Sequence, residues 1–222
     1  MTTFADLVGR ARGFTDARRA LLGITGSPGA GKSTLVSALL EALRGNPPAG
    51  LDADWVANVP MDGFHLADVE LRRLGLATRK GAPETFDTGG YLALLRRLRA
   101  DDPADDPVYA PAFERVLEQP LAGAIPVPHA VRLVLTEGNY LLLDGRWAGV
   151  RAELDEVWFC DLRADVRQSR LTARHVGFGK APEQAAAWVA EVDTPNAALV
   201  DATRDLADVV VPSSVLEELA PT

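Results

Sequence analysis

The sequence predicts an α/β fold, with a mostly parallel sheet of about five strands and helices on both faces. Short apolar runs alternate along the chain with segments whose apolar residues recur at helical spacing. Near the start, the strand-like "ALLGIT" leads through the glycine-rich "GSPGAGK" into the helical "STLVSALLEALR". Because parallel strands need crossover helices that cover both faces of the sheet, this alternation indicates a three-layer domain.

Five apolar runs are the strand candidates. In chain order they are "ALLGIT" (20–25), "DWVANV" (54–59), "VRLVLTEG" (131–138), "EVWFCDL" (156–162) and "ADVVVPSS" (207–214). "VRLVLTEG" is the most continuous, which is typical of a strand buried on both faces. The helix candidates are 1–19, 33–44, 68–76, 89–100, 164–176 and 182–192. No internal repeat or long linker divides the chain, so we expect a single domain over residues 1–222.

The composition argues against several classes of protein. The 222 residues carry a formal net charge of −8, which disfavours general nucleic-acid binding and binding to anionic membranes. No apolar stretch approaches the roughly 20 residues of a membrane span, and the first residues do not resemble a signal peptide. Cys160 is the one cysteine, so no intrachain disulfide can form. We therefore expect a cytoplasmic protein.

The stretch "GSPGAGKST" fits the phosphate-binding pattern G-x-x-x-x-G-K-[ST]. Its glycines allow backbone N–H groups to turn toward phosphate oxygens, and the positive end of the following helix faces the same anion. Lys32 is expected to reach the terminal phosphates, and the Ser33 hydroxyl to ligate Mg²⁺. The residues predicted to bind the nucleotide are Gly26, Ser27, Pro28, Gly29, Ala30, Gly31, Lys32, Ser33 and Thr34.

Two carboxylates follow apolar runs and should meet at one edge of the sheet. Glu137 ends "VRLVLTEG", and Asp62 follows "DWVANV". Since ligands of parallel sheets bind beyond the carboxyl ends of the strands, both acids should face the phosphates. We assign Glu137 to the metal, and Asp62 to accepting or orienting the proton of an attacking hydroxyl. His65 would add a hydrogen-bonding group, with Gly63 admitting the substrate. Helix N-capping is the alternative role of Asp62.

Four arginines, at positions 163, 167, 170 and 174, are spaced to share one helix face. Phosphoryl transfer is helped by positive charge around the transferring group. A helix that closes over the site could supply it, so we predict a helical lid at about residues 163–182, with Arg170 and Arg174 acting in catalysis. The alternative is a solvated basic face that makes surface ion pairs.

The blocks "VPMDGFHL" and "RKGAPETFD" resemble the M-D-G-F-H and R-K-G-x-P-E-[ST]-[FY]-D blocks of bacterial pantothenate kinases. That group of P-loop kinases also includes uridine–cytidine kinases and phosphoribulokinases, and some of its members are homodimers. The resemblance spans roughly Leu22 to Val211, and "EGNYLLL" is nearer to uridine-kinase-like and fructose-kinase-like members. It implies the P-loop NTPase fold, ATP as phosphoryl donor and Asp62 as catalytic base.

The resemblance also implies an acceptor site. Asp87, closing "ETFD", matches an acid that holds acceptor hydroxyls in nucleoside kinases. Tyr109 in "VYAPAFER" matches the tyrosine of a substrate-contacting hairpin, but Ala110 replaces the aspartate that follows it. This departure argues against both uridine and pantothenate. Further residues assigned to the acceptor from the matching segments are Arg79, Arg115, Asn139 and Arg167.

The function predicted from these features is transfer of the γ-phosphoryl group of ATP to a hydroxyl of a small molecule. A sugar, a nucleoside or a pantothenate-like alcohol would fit. Two alternatives keep the nucleotide but not the small acceptor: a nucleotide switch, and an ATPase that acts on a protein partner. The guanine-reading Asn-Lys-x-Asp pattern is absent, and no cluster of Cys or His suggests a metallochaperone.

Overall fold

The computed structural model describes residues 2–14, 18–100 and 106–220. Five strands form one sheet, and all of its neighbouring pairs are parallel. The strands of the described residues are β1 (Ala20–Thr25), β2 (Val56–Asn58), β3 (Val108–Glu114), β4 (Gln119–Val127), β5 (Leu133–Glu137), β6 (Glu156–Asp161) and β7 (Val209–Pro212). The sheet has the order β2-β5-β1-β6-β7, while β3 and β4 form a separate antiparallel hairpin. The predicted α/β fold class is confirmed.

Helices cover both faces of the sheet. Those of the described residues are α1 (Phe4–Arg12), α2 (Lys32–Gly45), α3 (Asp68–Leu74), α4 (Thr88–Ala100), α5 (Ala148–Ala152), α6 (Ala164–Gly177), α7 (Pro182–Trp188), α8 (Thr194–Asp201) and α9 (Ser213–Glu218). Neighbouring side chains of a strand enter different cores: Leu21 of β1 packs with Leu95 of α4, whereas Leu22 packs with Leu35 of α2. Since side chains alternate across a strand, this division produces the three layers.

The first helix is shorter than the predicted span of 1–19. It begins at Phe4, after Thr3, which accepts a hydrogen bond from the backbone N–H of Asp6 while the Asp6 carboxylate accepts one from the N–H of Thr3. This capping box satisfies N–H groups that an α-helix leaves free at its start. Residues 1 and 15–17 lie outside the described part of the chain.

A π-helical turn, Val189–Asp193, joins α7 to α8. Pro195 explains it, because in a regular helix the proline ring would clash with the carbonyl of Glu191. The wider turn accommodates that carbonyl, and the helical path continues to Asp201. The prediction that the helix ends at 192 was therefore wrong. Asn196 is a buried residue in the first turn of α8.

The hairpin packs against the 3-10 turn Met61–Phe64 that follows β2. A Cβ at Gly63 would lie 2.3 Å from the carbonyl oxygen of Pro111 in β3. Gly63 therefore gives room to the hairpin, which corrects the expectation that it makes room for a substrate. No helix among the described residues is long and apolar enough to cross a membrane.

Candidate active site

The phosphate-binding loop connects β1 to α2 and depends on glycines with positive φ. Gly26 has φ 146°, Gly29 has φ 78°, and Gly31, the residue before α2, has φ 88°. Side chains rarely adopt these angles. The Lys32 Nζ donates to the carbonyl oxygens of Gly26, at 2.9 Å, and Ser27, at 3.2 Å. The ammonium thus lies inside the curl of the loop, where burial lowers the pKa of Lys32 and nearby Glu137 partly offsets that effect.

Ser33 and Glu137 meet beside this loop. The Ser33 hydroxyl donates to Glu137 Oε1 at 3.0 Å. Glu137 ends β5 opposite Ile24 of β1, so the parallel register brings the acid to the loop. Burial, and then repulsion by Asp62, raise the pKa of Glu137, against the opposing effects of Lys32 and Ser33. A hydroxyl and a carboxylate oxygen suit Mg²⁺, which prefers oxygen ligands. The described residues contain no group of three or more His, Cys, Asp or Glu side chains arranged to hold a metal.

Asp62 lies in the turn after β2. In the sheet, β5, which carries Glu137, lies between β2 and β1, which leads into the phosphate loop. Asp62 Oδ2 accepts a hydrogen bond from Arg115 Nη2 at 2.9 Å. Asp62 does not act as a helix N-cap, because α3 begins only at Asp68 and follows Ala67. The capping alternative is therefore excluded, and the carboxylate faces the same cleft as Lys32 and Ser33.

His65 supports the turn that carries Asp62. Its Nδ1 lies 2.7 Å from the backbone carbonyl oxygen of Asp62, and its ring packs between Phe86 and Phe113, at centroid distances of 4.1 and 4.6 Å. Burial lowers the pKa of His65, so the ring is neutral at pH 7. Because a carbonyl can only accept, Nδ1 carries the proton and Nε2 is left as an acceptor.

One cleft of about 570 Å³ collects most of the predicted catalytic groups. The predicted site residues that line it are Pro28, Gly29, Lys32, Ser33, Asp62, His65, Arg115, Glu137, Asn139 and Arg174. A second cleft of about 360 Å³ shares part of this lining and is bordered by Gly29, Gly31, Lys32, Ser33, Thr34, Arg170, Arg174 and Ala220. Arg174 therefore borders both clefts, and burial and nearby Arg115 lower its pKa.

Helix α6 lies directly on the phosphate loop. A Cβ at Gly29 would come within 2.9 Å of the carbonyl oxygen of Arg167 and of Leu171 Cγ. The loop is also attached to α8, since the Ser27 hydroxyl donates to the Asp201 carboxylate, which also pairs with Arg167 at 2.9 Å. The helix predicted to form the lid is thus packed directly against the phosphate loop. Ser27 and Arg167 serve this attachment and do not line either cleft.

Four other predicted residues lie outside both clefts. Arg79 pairs with Glu84 at 2.6 Å, and Arg163 pairs with Asp165 at 2.8 Å. Asp87 accepts a hydrogen bond from the backbone N–H of Gly90 at 2.9 Å, which is the contact of a residue at the start of α4. Tyr109 is 53% exposed on β3. The structure does not bring these side chains to the phosphate loop.

Several cleft residues were missed from the sequence. They are Lys80, Phe86, Phe113, Phe178, Lys180, Trp188 and Asp193. His175 and Asn196 also line the cleft. Trp188 is half-buried, and Lys180 Nζ lies over its ring, 4.7 Å from the centroid. His175 Nε2 of α6 lies 2.8 Å from Asp193 Oδ2 of the π-helical turn. The π-helical turn, which Pro195 signals, sets the direction of Asp193 and Asn196.

Known proteins resemble this chain over most of its length. The family model described as methylmalonyl-CoA mutase-associated GTPase MeaB matches residues 7–52 alone. An ATP-dependent kinase-like protein of Aspergillus versicolor is 36% identical over 133 residues, which span 57% of this chain and 77% of that protein. A Schizosaccharomyces pombe protein, provisionally a uridine kinase, is 30% identical over 91% of this chain and 84% of its own length.

One solved structure resembles this chain in both fold and sequence. The crystal structure of a protein from Silicibacter sp. TM1040, provisionally a fructose transport system kinase, has a TM-score of 0.84 and 35% identity. The match covers 96% of this chain and 100% of that one. Because the Schizosaccharomyces pombe relative covers 91% of this chain at 30% identity and the Silicibacter structure covers 96% at 35% identity, the chain belongs to the P-loop kinase family, among its uridine-kinase-like members.

Proposed function

We propose that the protein transfers the γ-phosphoryl group of ATP to a hydroxyl of a small-molecule acceptor, in a reaction that requires Mg²⁺. The observation that carries this proposal is the single cleft that holds the phosphate loop, Glu137 and Asp62 together. A phosphate site, a metal-binding acid and a candidate base are the parts that phosphoryl transfer needs. In this proposal the whole chain acts as one kinase domain.

The loop side of the cleft would hold the nucleotide. Backbone N–H groups of the glycine loop and the start of α2 face the phosphates. The Lys32 ammonium would exchange its two carbonyl partners, Gly26 and Ser27, for phosphate oxygens. Ser33 and Glu137 would hold Mg²⁺, which when bound neutralises phosphate charge. Arg170 and Arg174, which border the second cleft, would add positive charge from α6.

The opposite side would activate the acceptor. Asp62 accepts the proton of the acceptor hydroxyl as its oxygen bonds to the γ-phosphorus and the bond from that phosphorus to the bridging β–γ oxygen breaks. ADP leaves with the electron pair. His65 holds the Asp62 turn through the backbone carbonyl of Asp62. For Asp62 to accept a proton, Arg115 must release or weaken its contact with Oδ2.

A nucleotide switch is the second candidate function, because the MeaB family model matches residues 7–52. That match covers the loop and its flanking elements, which kinases and GTPases share. Lys32 and Lys180 follow glycine and Lys80 follows arginine, so the chain has no Asn-Lys-x-Asp pattern to read guanine. Asp62, which lines the same cleft as the loop, supports the kinase over the switch, because transfer to a hydroxyl needs a group that accepts its proton.

The test is nucleotide turnover with ATP or GTP and Mg²⁺, with and without sugars, nucleosides, sugar acids, sugar phosphates and pantothenate. We expect ADP release to rise with one class of acceptor, and mass spectrometry to find the phosphorylated product. Slow turnover that ignores every acceptor and prefers GTP would overturn the kinase proposal in favour of the switch.

A further inference from the structure

All three lysines of the chain line the main cleft. The sequence has 23 basic residues, and the others are arginines. Lys32 belongs to the phosphate loop, but Lys80 and Lys180 come from distant segments and have no role in the mechanism above. A lysine ammonium is a compact point charge with three donors, which arginine does not reproduce. The convergence of Lys80 and Lys180 on one cleft therefore needs a chemical explanation.

Lys80 approaches the cleft from the segment before α4. Its Nζ lies 2.7 Å from Asp68 Oδ1, donates to the backbone carbonyl of Glu118, and lies 5.6 Å from the centroid of the Phe113 ring. The Lys80 side chain is 18% exposed, whereas that of Asp68 is 42% exposed. The ammonium is thus buried deeper than its acidic partner. It connects the segment before α4 to the β3–β4 hairpin, on the Asp62 side of the cleft, which is called the acceptor end below.

Lys180 reaches the cleft from the segment that follows α6. Its Nζ lies over the Trp188 ring, and it makes no ion pair with an acid in the described parts of the chain. The nearby Asp193 carboxylate is already bonded to His175. An ammonium that rests on an aromatic ring inside a cleft remains available to an anionic ligand.

With nucleotide and acceptor bound, the carboxylates of the cleft would not neutralise its lysines. Glu137 is bonded to Ser33, and Asp62 to Arg115. Once Asp62 accepts a hydroxyl proton and Arg115 releases it, Arg115 and Lys180 have no acidic partner among the described residues, and Lys80 keeps only the half-exposed Asp68. Glu118, which also lines the cleft, is exposed to solvent. A neutral acceptor would leave Arg115 and Lys180 without a counter-charge, whereas an anion would pair with them.

We propose that the acceptor carries an anionic group, a carboxylate or a phosphate, in addition to its reactive hydroxyl, and that Lys80 and Lys180 bind this group. This inference rests on the proposed kinase function and names its substrate class. Anchoring the anion at the far end of the cleft orients the hydroxyl toward Asp62. The acceptors that fit are sugar acids, hydroxy acids and sugar phosphates.

The first experiment compares matched acceptors. Gluconate is paired with glucose, glycerate with glycerol, fructose 6-phosphate with fructose, and pantothenate with its uncharged alcohol analogue. Transfer of labelled γ-phosphate should favour an anionic member by at least about tenfold in kcat/KM, the usual discrimination of one charge-assisted contact. Equal or better transfer to a neutral member would overturn the inference while leaving the kinase function intact.

The second experiment does not depend on guessing the acceptor. Binding of inorganic phosphate and of malonate is measured by calorimetry while a non-hydrolysable ATP analogue and Mg²⁺ occupy the loop. We expect Lys80→Met and Lys180→Met to weaken anion binding by about tenfold each. Stronger binding of phosphate than of malonate would assign the anion as a phosphate, and the reverse as a carboxylate.

Arg73→Gln is the control, since Arg73 is an exposed cation paired with Glu70 outside the cleft. If neither anion binds the loaded enzyme, or if both lysine variants bind as tightly as the parent, the inference is wrong. Retained nucleotide binding in the lysine variants shows that they are folded. A failure of the kinase proposal would appear separately, as absence of transfer to every acceptor.

Discussion

Arg115 Nη2 lies 2.9 Å from Asp62 Oδ2, and this ion pair joins the hairpin to the strand end that carries the candidate base. The Arg115 side chain is 51% exposed and lies 5.0 Å from the centroid of the Phe113 ring, so it can move without disturbing the core. The guanidinium occupies Oδ2, one of the two oxygens with which the proposed base would accept a proton. An acceptor would have to compete with Arg115 for this oxygen.

Replacing Arg115 should therefore release the base. We expect Arg115→Gln to raise acceptor-independent ATP hydrolysis several-fold, because water can then use Asp62, and to raise the KM for the acceptor. ADP release is measured with and without acceptor, using Arg73→Gln as the control. Background hydrolysis that stays at the parent level would show that the ion pair does not restrain Asp62.

The role of Asp62 has a direct test. Asp62→Asn keeps the shape of the side chain but removes its capacity to take a proton. We expect phosphoryl transfer to fall by about 10²–10⁴-fold, the usual contribution of a general base. Affinity for an ATP analogue should stay within about threefold, because Asp62 lies on the acceptor side of the cleft. Transfer at the parent rate would assign the base elsewhere.

Glu137 should set the metal requirement. Its Oε1 accepts a hydrogen bond from the Ser33 hydroxyl at 3.0 Å. The two oxygen atoms are therefore close enough to bind the same metal ion. In Glu137→Gln we expect the Mg²⁺ concentration for half-maximal activity to rise by about tenfold or more, since an amide is a weaker ligand than a carboxylate. Metal titrations at saturating ATP measure this. An unchanged requirement would remove Glu137 from the metal site.

The buried His65 should make stability depend on pH. Burial lowers the pKa of His65 below its ordinary value of 6.5, so the unfolded chain takes up a proton before the folded protein does. The stabilisation is complete above pH 6.5 and is lost as the pH falls toward the folded pKa. Urea unfolding at pH 7.5 and 5.5 should show the loss, and His65→Asn should reduce it. An identical pH dependence in the variant would contradict this prediction.

Gly63 should be required for the hairpin to pack. Its substitution by alanine places a Cβ 2.3 Å from a backbone oxygen of Pro111, which cannot move aside as a side chain could. We expect Gly63→Ala to lower the free energy of unfolding by about 1–3 kcal/mol. The matched control is Gly9→Ala in α1, where a Cβ meets nothing within 4 Å and helix propensity predicts a gain of up to about 1 kcal/mol. Equal effects of the two changes would contradict the packing argument.

Local patterns were sufficient for the sheet and the phosphate site. Each of the five predicted strand runs contains a strand of the main sheet. Buried parallel strands appear as short apolar runs, and their length distinguishes them from the longer helical segments. The loop could be read from "GSPGAGKST" because its chemistry depends on residues that are adjacent in sequence. Strand β4 was not predicted, since its pairing with β3, and not an apolar pattern, holds it in place.

The acceptor side could be predicted only in part. Asp87 and Tyr109 were assigned from the family blocks, but one lies at the start of α4 and the other is exposed on β3. Lys180 and Trp188 line the cleft without any local motif to mark them, and Lys80, which lies in the block "RKGAPETFD", was not assigned to the site. Their direction depends on how the hairpin, α6 and the π-helical turn pack, which no short stretch of residues determines.

By itself, the sequence determined the fold class, the phosphate-binding loop and the two acids at strand ends, because each depends on short-range periodicity or on adjacent residues. Only the tertiary structure decided that Arg115 pairs with Asp62, that Gly63 makes room for the hairpin and that the three lysines line one cleft. These relationships join segments that are far apart in the chain, and the packing of whole elements sets their distances.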